Sequence, residues 1–484
     1  MCDRLAVSGA ALAATVALVV AQVVIVFGYL LVERRQPHAT LAWLLAVVFV
    51  PVAGVLFYIV FGRRRMRRES VKLLRVRHRV RTRLTAPSSG DWHAAVADPR
   101  EEALLQLGQK VSQSSVTIGN RCRVLQNAQT AYPEMRDAIV AARHFVHIEF
   151  YIIRDDEVGR GLRGDLVECA HRGVEVRVVY DAIGCVELSD AFFAPLVAAG
   201  GEVAVFSPVR SWQRLRRKDR VDFRNHRKIV IVDGRIGFTG GMNIGAEYFG
   251  TPDEVFRDTH IRIEGPAVLE LQRVWTEDWL WASDKLVDQG KYFTVDPGSS
   301  SEEDGVVLIA SSGPDRNWTP ILRVYVQAIA IARERVWITN PYFIPDPVMQ
   351  EALISAALRG VEVRLILPVK SDSRLVDLAS RGYFSPLLAA GVHIHLYRGF
   401  VHSKTMVVDT FFSTVGSANL DSRSFHLNYE LNAFVHDAGV AGLLAQHFEA
   451  DLRSSDPVTR EQEAAVGYLS RVFRGLARLL SPIL

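Results

Sequence analysis

The sequence is poor in cysteine, and its few cysteines form no recognisable site. Among 484 residues there are four cysteines, and none stands in the C-x-x-C or related spacings that bind zinc. The sequence therefore predicts neither a disulfide framework nor a zinc site. The four residues are Cys2, Cys122, Cys169 and Cys185.

The net charge of the chain is also small, and the charged residues are unevenly distributed. The net charge of the chain is only +4, yet residues 63–83 contain eleven Lys or Arg and a single Glu, a local charge of +10. Charged side chains are missing altogether from residues 5–32 and 41–61. Each of these stretches reaches the ~20 residues that cross the hydrocarbon core of a bilayer. They predict two transmembrane helices within residues 1–62.

The apolar stretches and the basic segment together predict a topology. A cleaved signal peptide has a shorter apolar region than residues 5–32, and here a second apolar stretch follows the first. Lys and Arg concentrate on the cytoplasmic side of membrane spans, so the basic juxtamembrane segment, residues 63–110, is predicted to lie in the cytoplasm with all that follows. Such a segment is also attracted to anionic headgroups. We expect a multi-pass protein of the cell membrane, plasma or inner, whose main domains are cytoplasmic.

One motif of histidine, lysine and aspartate occurs twice with the same spacing. The copies read HRKIVIVD and HSKTMVVD, and each continues to a turn of small residues that ends in asparagine. Two complete copies in one chain do not arise by chance. The side chains involved are His226, Lys228, Asp233 and Asn243 in the first copy, and His402, Lys404, Asp409, Ser417 and Asn419 in the second.

The residues around each motif predict a strand followed by a hairpin. His and Lys two positions apart on a strand face the same side, and the β-branched residues that follow favour this conformation. Asp233 followed by Gly234 is typical of a hairpin turn, whereas Thr410 after Asp409 is less so. The return strand should bring the small-residue turn back beside the histidine and lysine.

A second repeat indicates that the whole domain is duplicated. RGVEVR occurs at residues 172–177 and again at 359–364, each time after a helical pattern and before an apolar run. This alternation predicts an α/β fold with mixed, mostly parallel sheets and flanking helices. We expect two tandem domains, residues 111–293 and 306–484, joined by the linker 294–305. Packed face to face, they would bring both motifs into one shared site.

Two histidine and lysine pairs are suited to the transfer of a phosphorus group. A neutral imidazole can attack phosphorus, and a second imidazole can donate or accept the proton of an alcohol. The lysines would hold the non-bridging oxygens, with Asn243, Ser417 and Asn419 as candidate neutral donors. The motifs lack the carboxylate clusters that hold magnesium or calcium. We expect no metal and no other cofactor.

The two motifs resemble the HKD motifs of the phospholipase D superfamily. The flanking segments FRDTHIRIEGPAV, NPYFIPD and GSANLDSRSFHLNYELN are similar to bacterial cardiolipin synthase, and the resemblance covers nearly the whole chain. It implies a phosphatidyl transfer between two phosphatidylglycerol molecules that gives cardiolipin and glycerol through a phosphohistidine. It further implies that His226 is the nucleophile, that His402 is the general acid and base, and that Lys228 and Lys404 bind the phosphate.

The same resemblance implies supporting roles for four carboxylates. Asp233 and Asp409 complete the motifs and are expected to orient hydrogen bonds within them. Asp258 in FRDTH and Glu430 in NYELN are candidates to fix the imidazole tautomers.

Other functions would use the same residues. These motifs do not distinguish a cardiolipin synthase from a phospholipase D, in which water attacks the intermediate, or from a phosphatidyltransferase to another alcohol. A nuclease of the superfamily is disfavoured by the predicted spans and the arginines beside them, and a catalytically silent scaffold by the intact motifs. The expected partners are phosphatidylglycerol and anionic membrane lipids, with no nucleic acid, and the oligomeric state stays open.

The carboxyl-terminal segment is amphipathic. Apolar residues alternate with three arginines over residues 471–480. This pattern predicts either an interfacial helix that lies on a membrane or a helix that docks on the domain.

Overall fold

A computed structural model gives the conformation of most of the chain. The chain divides into two compact units, residues 1–70 with 212–220, and residues 71–211 with 221–484. Described are residues 17, 20–21, 23–30, 37–58, 92–207, 223–250, 255–287, 289–293 and 305–481.

The described part of the first unit is helical and short. Residues 23–30 form a helical segment, followed by helices α1 (Pro37–Phe49) and α2 (Pro51–Phe57). The second predicted span is thus divided at Pro51, because proline cannot donate the backbone hydrogen bond that would continue α1. Among the described residues, no helix has both the length and the apolar character to cross a membrane. Part of the span predicted at residues 5–32 lies outside the described residues.

The second unit is built on one large mixed sheet. Among the described residues, fifteen strands, whose ranges are given next, lie in the order β19-β13-β12-β10-β15-β16-β18-β9-β1-β8-β6-β5-β2-β3-β4. The strands of the amino-terminal half are β1 (Val116–Gln126), β2 (Phe145–Phe150), β3 (Glu175–Asp181), β4 (Glu202–Phe206), β5 (Ile229–Val232), β6 (Ile236–Gly240), β7 (Phe256–Arg257) and β8 (Thr259–Glu264). The strands of the carboxyl-terminal half are β9 (Gly305–Ser312), β10 (Arg335–Thr339), β11 (Phe343–Ile344), β12 (Glu362–Pro368), β13 (His393–Tyr397), β14 (Phe400–Val401), β15 (Thr405–Val408), β16 (Phe412–Gly416), β17 (Leu420–Asp421), β18 (Glu430–His436) and β19 (Ser455–Val458).

Helices cover the sheet in both halves. The amino-terminal half has α3 (Pro99–Ser112), α4 (Ala128–Val140), α5 (Glu157–His171), α6 (Ala194–Ala198), α7 (Ala267–Ser283) and α8 (Gln289–Tyr292). The carboxyl-terminal half has α9 (Pro320–Ile331), α10 (Pro347–Leu358), α11 (Arg374–Arg381), α12 (Phe384–Ala390), α13 (Ser422–His426), α14 (Ala438–Arg453), α15 (Arg460–Ala464) and α16 (Tyr468–Leu479). Single 3-10 turns lie at Trp92–Ala95 and Ala246–Tyr248.

The duplication predicted from the sequence is visible in the strand order. From the centre outward the amino-terminal half runs β1-β8-β6-β5-β2-β3-β4, and the carboxyl-terminal half runs β9-β18-β16-β15-β10-β12-β13 in the same pattern. The two RGVEVR segments lead into equivalent strands, β3 and β12. The prediction of a mixed α/β fold is confirmed.

The share of parallel pairing is smaller than predicted. Only β2-β3-β4 and β10-β12-β13 pair in parallel within the described part of the large sheet. These strands are joined by helices, which parallel pairing requires. Short turns join the motif hairpins, as in β5-β6, and those pairs are antiparallel. The prediction of mostly parallel sheets is therefore wrong.

The two halves contact each other through the strands that lie beside the motifs. Strand β16 lies against β6 and β8, β18 lies against β6, and β1 pairs with both β8 and β9. Helix α3, from the segment predicted to be juxtamembrane, packs Leu104 and Leu105 into the core of the carboxyl-terminal half. The linker predicted at residues 294–305 lies almost wholly outside the described residues.

Candidate active site

The first motif lies where its half exchanges backbone hydrogen bonds with the other half. The N–H of His226 donates to the carbonyl oxygen of Tyr429 at 2.9 Å, and the N–H of Tyr429 donates to that of Arg224 at 2.8 Å. Glu430 is the next residue after Tyr429. Its carboxylate therefore reaches the imidazole of His226, with Nδ1 and Oε2 3.0 Å apart.

The second motif repeats this exchange with the halves interchanged. Strand β14 pairs in parallel with β7, and the N–H of His402 donates to the carbonyl oxygen of Arg257 at 2.7 Å. Asp258 is the next residue, and its Oδ2 lies 2.6 Å from Nδ1 of His402. Each half thus supplies the carboxylate for the histidine of the other half, so neither half has a complete site alone.

The carboxylates define the tautomer of both imidazoles. Burial by itself would raise the pKa of Glu430, but the interaction and hydrogen bond with His226, the charge of Lys228 and the hydrogen bond from Ser417 together lower it. The pKa of Asp258 is also lowered, because Lys404 and His402 outweigh its burial. An ionised carboxylate only accepts hydrogen bonds, so Nδ1 of each histidine carries a proton. The lone pair of Nε2 is then available in both rings.

Two buried lysines place positive charge beside the imidazoles. The Nζ of Lys228 donates to the carbonyl oxygen of His226 at 2.6 Å, and Lys404 makes the same bond to His402. Burial lowers the pKa of Lys228 to about 7 and that of Lys404 to about 8. Both lysines are fully buried. A bound anion would restore their full charge, since an opposite charge favours the protonated form.

Burial also keeps the histidines neutral. It lowers the pKa of His226, although the charge of Glu430 opposes this. It lowers the pKa of His402 to about 4, and the charge of Lys404 acts in the same direction. Each histidine also experiences the lysine of the opposite half. The four side chains therefore form one electrostatically connected cluster, suited to hold an anion beside two neutral imidazoles.

The motif aspartates lie at the other end of their strands. Asp233 accepts the backbone N–H groups of residues 143, 144 and 145 at 2.7–2.9 Å, at the start of β2. Asp409 accepts those of residues 333, 334 and 335 at 2.8–3.2 Å, at the start of β10. They follow the lysines by five residues of extended chain, about 16 Å. The structure does not bring them to the histidine cluster, and they anchor neighbouring strands instead.

The small-residue turns lie beside the carboxylates. The hydroxyl of Ser417 donates to Glu430, and its carbonyl oxygen lies 3.1 Å from Nδ1 of His226. A Cβ at Gly241 would come within 2.1 Å of Oδ1 of Asp258, so glycine is required for Asp258 to reach His402. The turns therefore fix the carboxylates as well as the backbone.

The two asparagines after the turns differ in their contacts. Oδ1 of Asn243 accepts the N–H of Ile152 at 3.2 Å, and its Nδ2 lies 3.4 Å from the hydroxyl of Tyr248. Asn419 is buried, and its Oδ1 has no hydrogen-bond partner among the described residues. The side chain of Asn243 is thus held by contacts within the protein, whereas no described partner of Oδ1 fixes the orientation of the Asn419 amide.

Among the described residues, no group of three or more His, Cys, Asp or Glu side chains is arranged to hold a metal ion.

Comparison with protein families identifies the fold and the repeat. Residues 135–279 and 325–452 match the family model described as cardiolipin synthase, PLD-like domain, and residues 16–63 match that described as phospholipase D-nuclease N-terminal. The chain is 39% identical over 457 residues to a cardiolipin synthase of Geobacillus thermodenitrificans, covering 93% of this chain and 90% of that one. It is 38% identical over 460 residues to cardiolipin synthase 2 of Bacillus anthracis, covering 93% and 88%.

The chain belongs to the cardiolipin synthase family. Relatives matched over most of both chains make it an enzyme of the phosphatidyltransferase type, and with the amino-terminal match they indicate a membrane-associated protein. The crystal structure of a phosphatidylserine synthase of Haemophilus influenzae has a similar fold, with a TM-score of 0.59 and 12% identity, covering 79% of this chain and 100% of that one.

In this cardiolipin synthase family member, sequence reasoning missed two tyrosines at the site. The hydroxyl of Tyr248 lies 3.4 Å from Nδ1 of His402, and the ring of Tyr151 lies edge-on to His226 with centroids 4.9 Å apart. The ring of Tyr151 also faces Nζ of Lys228 at 5.5 Å. Tyr248 stands five residues after Asn243, but no spacing rule marks either tyrosine.

Sequence reasoning also missed the arginine between the first histidine and lysine. Arg227 points away from both and is almost completely buried. Its Nε donates to the carbonyl oxygen of Glu430 at 3.1 Å, its Nη2 donates to that of Ser312 at 3.1 Å, and its Nη1 pairs with Asp278. Arg227 therefore ties the backbone of Glu430 to the first half. The alternation of side chains along the HRK segment is the signal that could have identified it.

Proposed function

We propose that the protein transfers a phosphatidyl group from one phosphatidylglycerol to another, giving cardiolipin and glycerol without a metal or other cofactor. The observation that carries the proposal is the reciprocal pairing of each histidine with a carboxylate of the other half, beside two buried lysines. A phosphodiester is an anion, and it would be stabilised by the lysines that burial otherwise drives toward neutrality.

The proposed reaction has two steps. Nε2 of His226 attacks phosphorus, forming a P–N bond as the P–O bond to glycerol breaks, and protonated His402 gives its proton to the departing oxygen. His402 then removes the proton from the hydroxyl of a second phosphatidylglycerol, whose oxygen attacks phosphorus and releases His226. The anionic phosphate raises the pKa of His402 in the complex, since it stabilises the protonated ring.

We assign the remaining residues by their contacts. Lys228 and Lys404 hold the non-bridging oxygens as charge develops in the transition state. Glu430 and Asp258 orient the imidazoles and stabilise the positive rings. Asn419 is the candidate neutral donor to phosphate, while Asn243 and Ser417 act through Tyr248 and Glu430, and the motif aspartates Asp233 and Asp409 through the strands that they anchor.

The cellular placement is part of the proposal. We infer that the protein is a multi-pass protein of the plasma or inner membrane, with residues 111–293 and 306–484 as cytoplasmic domains on either side of the linker 294–305. The absence of charge from residues 5–32 and 41–61 and the basic segment that follows support this inference. The substrates would be phosphatidylglycerol and other anionic membrane lipids.

The test is a product assay with the full chain in vesicles whose only phospholipid is labelled phosphatidylglycerol. We expect cardiolipin and free glycerol in equal amounts, and no cardiolipin from the His226→Ala variant. His393→Ala is the matched control, because His393 is exposed on β13. Phosphatidic acid in place of cardiolipin would make the protein a hydrolase, and equal activity of the His226→Ala variant would contradict the proposed site.

A further inference from the structure

The last helix, α16, presents its apolar side away from the protein. Its large apolar residues are exposed, with Leu469 71%, Phe473 59% and Leu479 74% accessible. At 3.6 residues per turn these side chains fall on one face of the helix. The face also includes Tyr468, Val472, Leu476 and Leu480.

The opposite side of α16 contacts the domain through small and polar residues. Ala477 is buried, and Arg474 pairs with Glu463 at 2.7 Å. Ser481, two residues beyond the end of α16, shares a hydrogen bond with the hydroxyl of Tyr383 at 2.9 Å. A surface helix of a soluble domain normally turns its apolar face to the core. Helix α16 has the reverse orientation, so its apolar face is held outward by the contacts on its other side.

The helix that packs beside α16 exposes apolar residues as well. Helix α11 packs beside α16, and its Leu375 and Leu378 are also exposed. We call these two residues and the outward face of α16 the apolar platform. Exposed arginines accompany it, and α16 contains three arginines and no acidic residue. The exposed arginines are Arg374, Arg471 and Arg478.

The platform lies at the same edge of the sheet as the candidate active site. Lys404 immediately precedes β15, whose Thr405 pairs with Thr339 at the carboxyl end of β10. Strand β12 runs parallel to β10, so its carboxyl end lies at that edge too, and α11 follows from there. Asp372, two residues before α11, accepts a hydrogen bond from Tyr342 at 2.6 Å and acts electrostatically on Lys404.

We propose that the apolar platform is a docking surface for anionic lipid bilayers that holds the active site against the membrane. The inference rests on the proposed function, in which both substrates are lipids. Apolar side chains flanked by arginines match the acyl and headgroup layers of an anionic leaflet, as in interfacial amphipathic helices. The position of the platform beside the second motif would let a phosphatidylglycerol headgroup enter the site from the leaflet.

The depth of the platform can be measured in the full chain reconstituted in phosphatidylglycerol vesicles. A polarity-sensitive fluorophore is attached to a Phe473→Cys variant, and quenching by spin-labelled lipid is compared with quenching by a water-soluble quencher. Leu358→Cys is the matched control, because Leu358 is 71% exposed but ends α10. It precedes β12, whose seven residues span about 23 Å, so it lies at the edge opposite the platform.

We expect the label at position 473 to be quenched by lipid and protected from the aqueous quencher, with the opposite result at position 358. Equal quenching by the aqueous quencher at both positions would overturn the proposal. Protection from both quenchers at position 473 would also overturn it, since a protein partner or a second copy would then cover the platform. This measurement does not depend on cardiolipin formation, so its failure is distinguishable from failure of the proposed function.

A kinetic measurement supplements the quenching. The Leu469→Asp/Phe473→Asp variant should reduce the ratio of initial rates on vesicle substrate and on detergent-dispersed substrate about tenfold, because charged residues remove the apolar contact with the leaflet. The Leu358→Asp variant should leave the ratio as it is in the unaltered protein. An unchanged ratio in the double variant would overturn the proposal.

Discussion

Replacing the carboxylate of Glu430 by an amide isolates the contribution of its charge. Oε2 accepts hydrogen bonds from His226 and Ser417, and Oε1 accepts one from Nδ2 of Asn428 at 3.2 Å. In the Glu430→Gln variant the amide oxygen can keep the first two bonds. The new NH2 group would face Asn428, whose Oδ1 has no described partner and can turn toward it. The geometry should therefore survive while the negative charge is lost.

The expected loss of activity follows from the positive charge that develops on the imidazole of His226 when it attacks phosphorus. A unit charge about 5 Å from a carboxylate is stabilised by about 3 kcal/mol at an effective dielectric constant of about 20. That energy corresponds to roughly a hundredfold in rate, since each 1.36 kcal/mol is about tenfold. We expect kcat of the Glu430→Gln variant to fall by about a hundredfold, with little change in KM.

The assay is the initial rate of cardiolipin formation, with Tm measured on the same samples. Glu334→Gln is the matched control, because Glu334 is exposed and its side chain lies outside the cluster. A Glu430→Gln variant that keeps more than about a third of the normal kcat with unaltered Tm would refute the reasoning.

Three further predictions address the lysines, the turn and the motif aspartates. Burial lowers the pKa of Lys228 to about 7 and that of Lys404 to about 8, so kcat/KM should fall as the pH rises through 7–8 and the free site loses positive charge. The value of kcat should stay constant to higher pH, because bound phosphate keeps the lysines protonated; kcat and kcat/KM profiles that fall together would contradict this. Gly241→Ala should abolish most activity by displacing Asp258, while Gly442→Ala, whose added Cβ meets nothing within 4 Å, should leave activity unchanged. A fully active Gly241→Ala variant would show that catalysis does not require Asp258 at its present position. Asp409→Ala should lower the free energy of unfolding by about 2 kcal/mol, because three N–H groups lose a charged acceptor, and Asp456→Ala on the surface should change it by less than about 0.5 kcal/mol. An Asp409→Ala variant with unaltered stability but a lost kcat would show that Asp409 acts in the active site.

The local structure of the motifs could be predicted because it depends on neighbouring residues. In the structure the predicted strands begin only after the lysines, at Ile229 and Thr405, but the segments before them still place each histidine beside its lysine. The Asp233–Gly234 pair predicted the turn, in which both residues adopt positive φ values of 53° and 67°. The strand order repeats as the two RGVEVR segments predicted.

What could not be predicted depends on contacts between distant segments. The sequence predicts that the motif aspartates orient hydrogen bonds within their motifs. In the structure each aspartate lies at the far end of its strand and accepts backbone N–H groups of a neighbouring strand. The proportion of antiparallel pairs follows from tertiary pairing of the central strands, which no periodicity specifies. Tyr248 and Arg227 reach the site only through the folding of separate elements against each other.

The central claim is that both halves form one site in which His226 carries the phosphatidyl group. The most direct test is an acid quench of the full chain during turnover of labelled phosphatidylglycerol, followed by peptide mapping of the label. We predict label on the peptide that contains His226, and none in the His226→Ala variant. Label on the peptide that contains His402, or cardiolipin formed at an undiminished rate by the His226→Ala variant, would contradict the account.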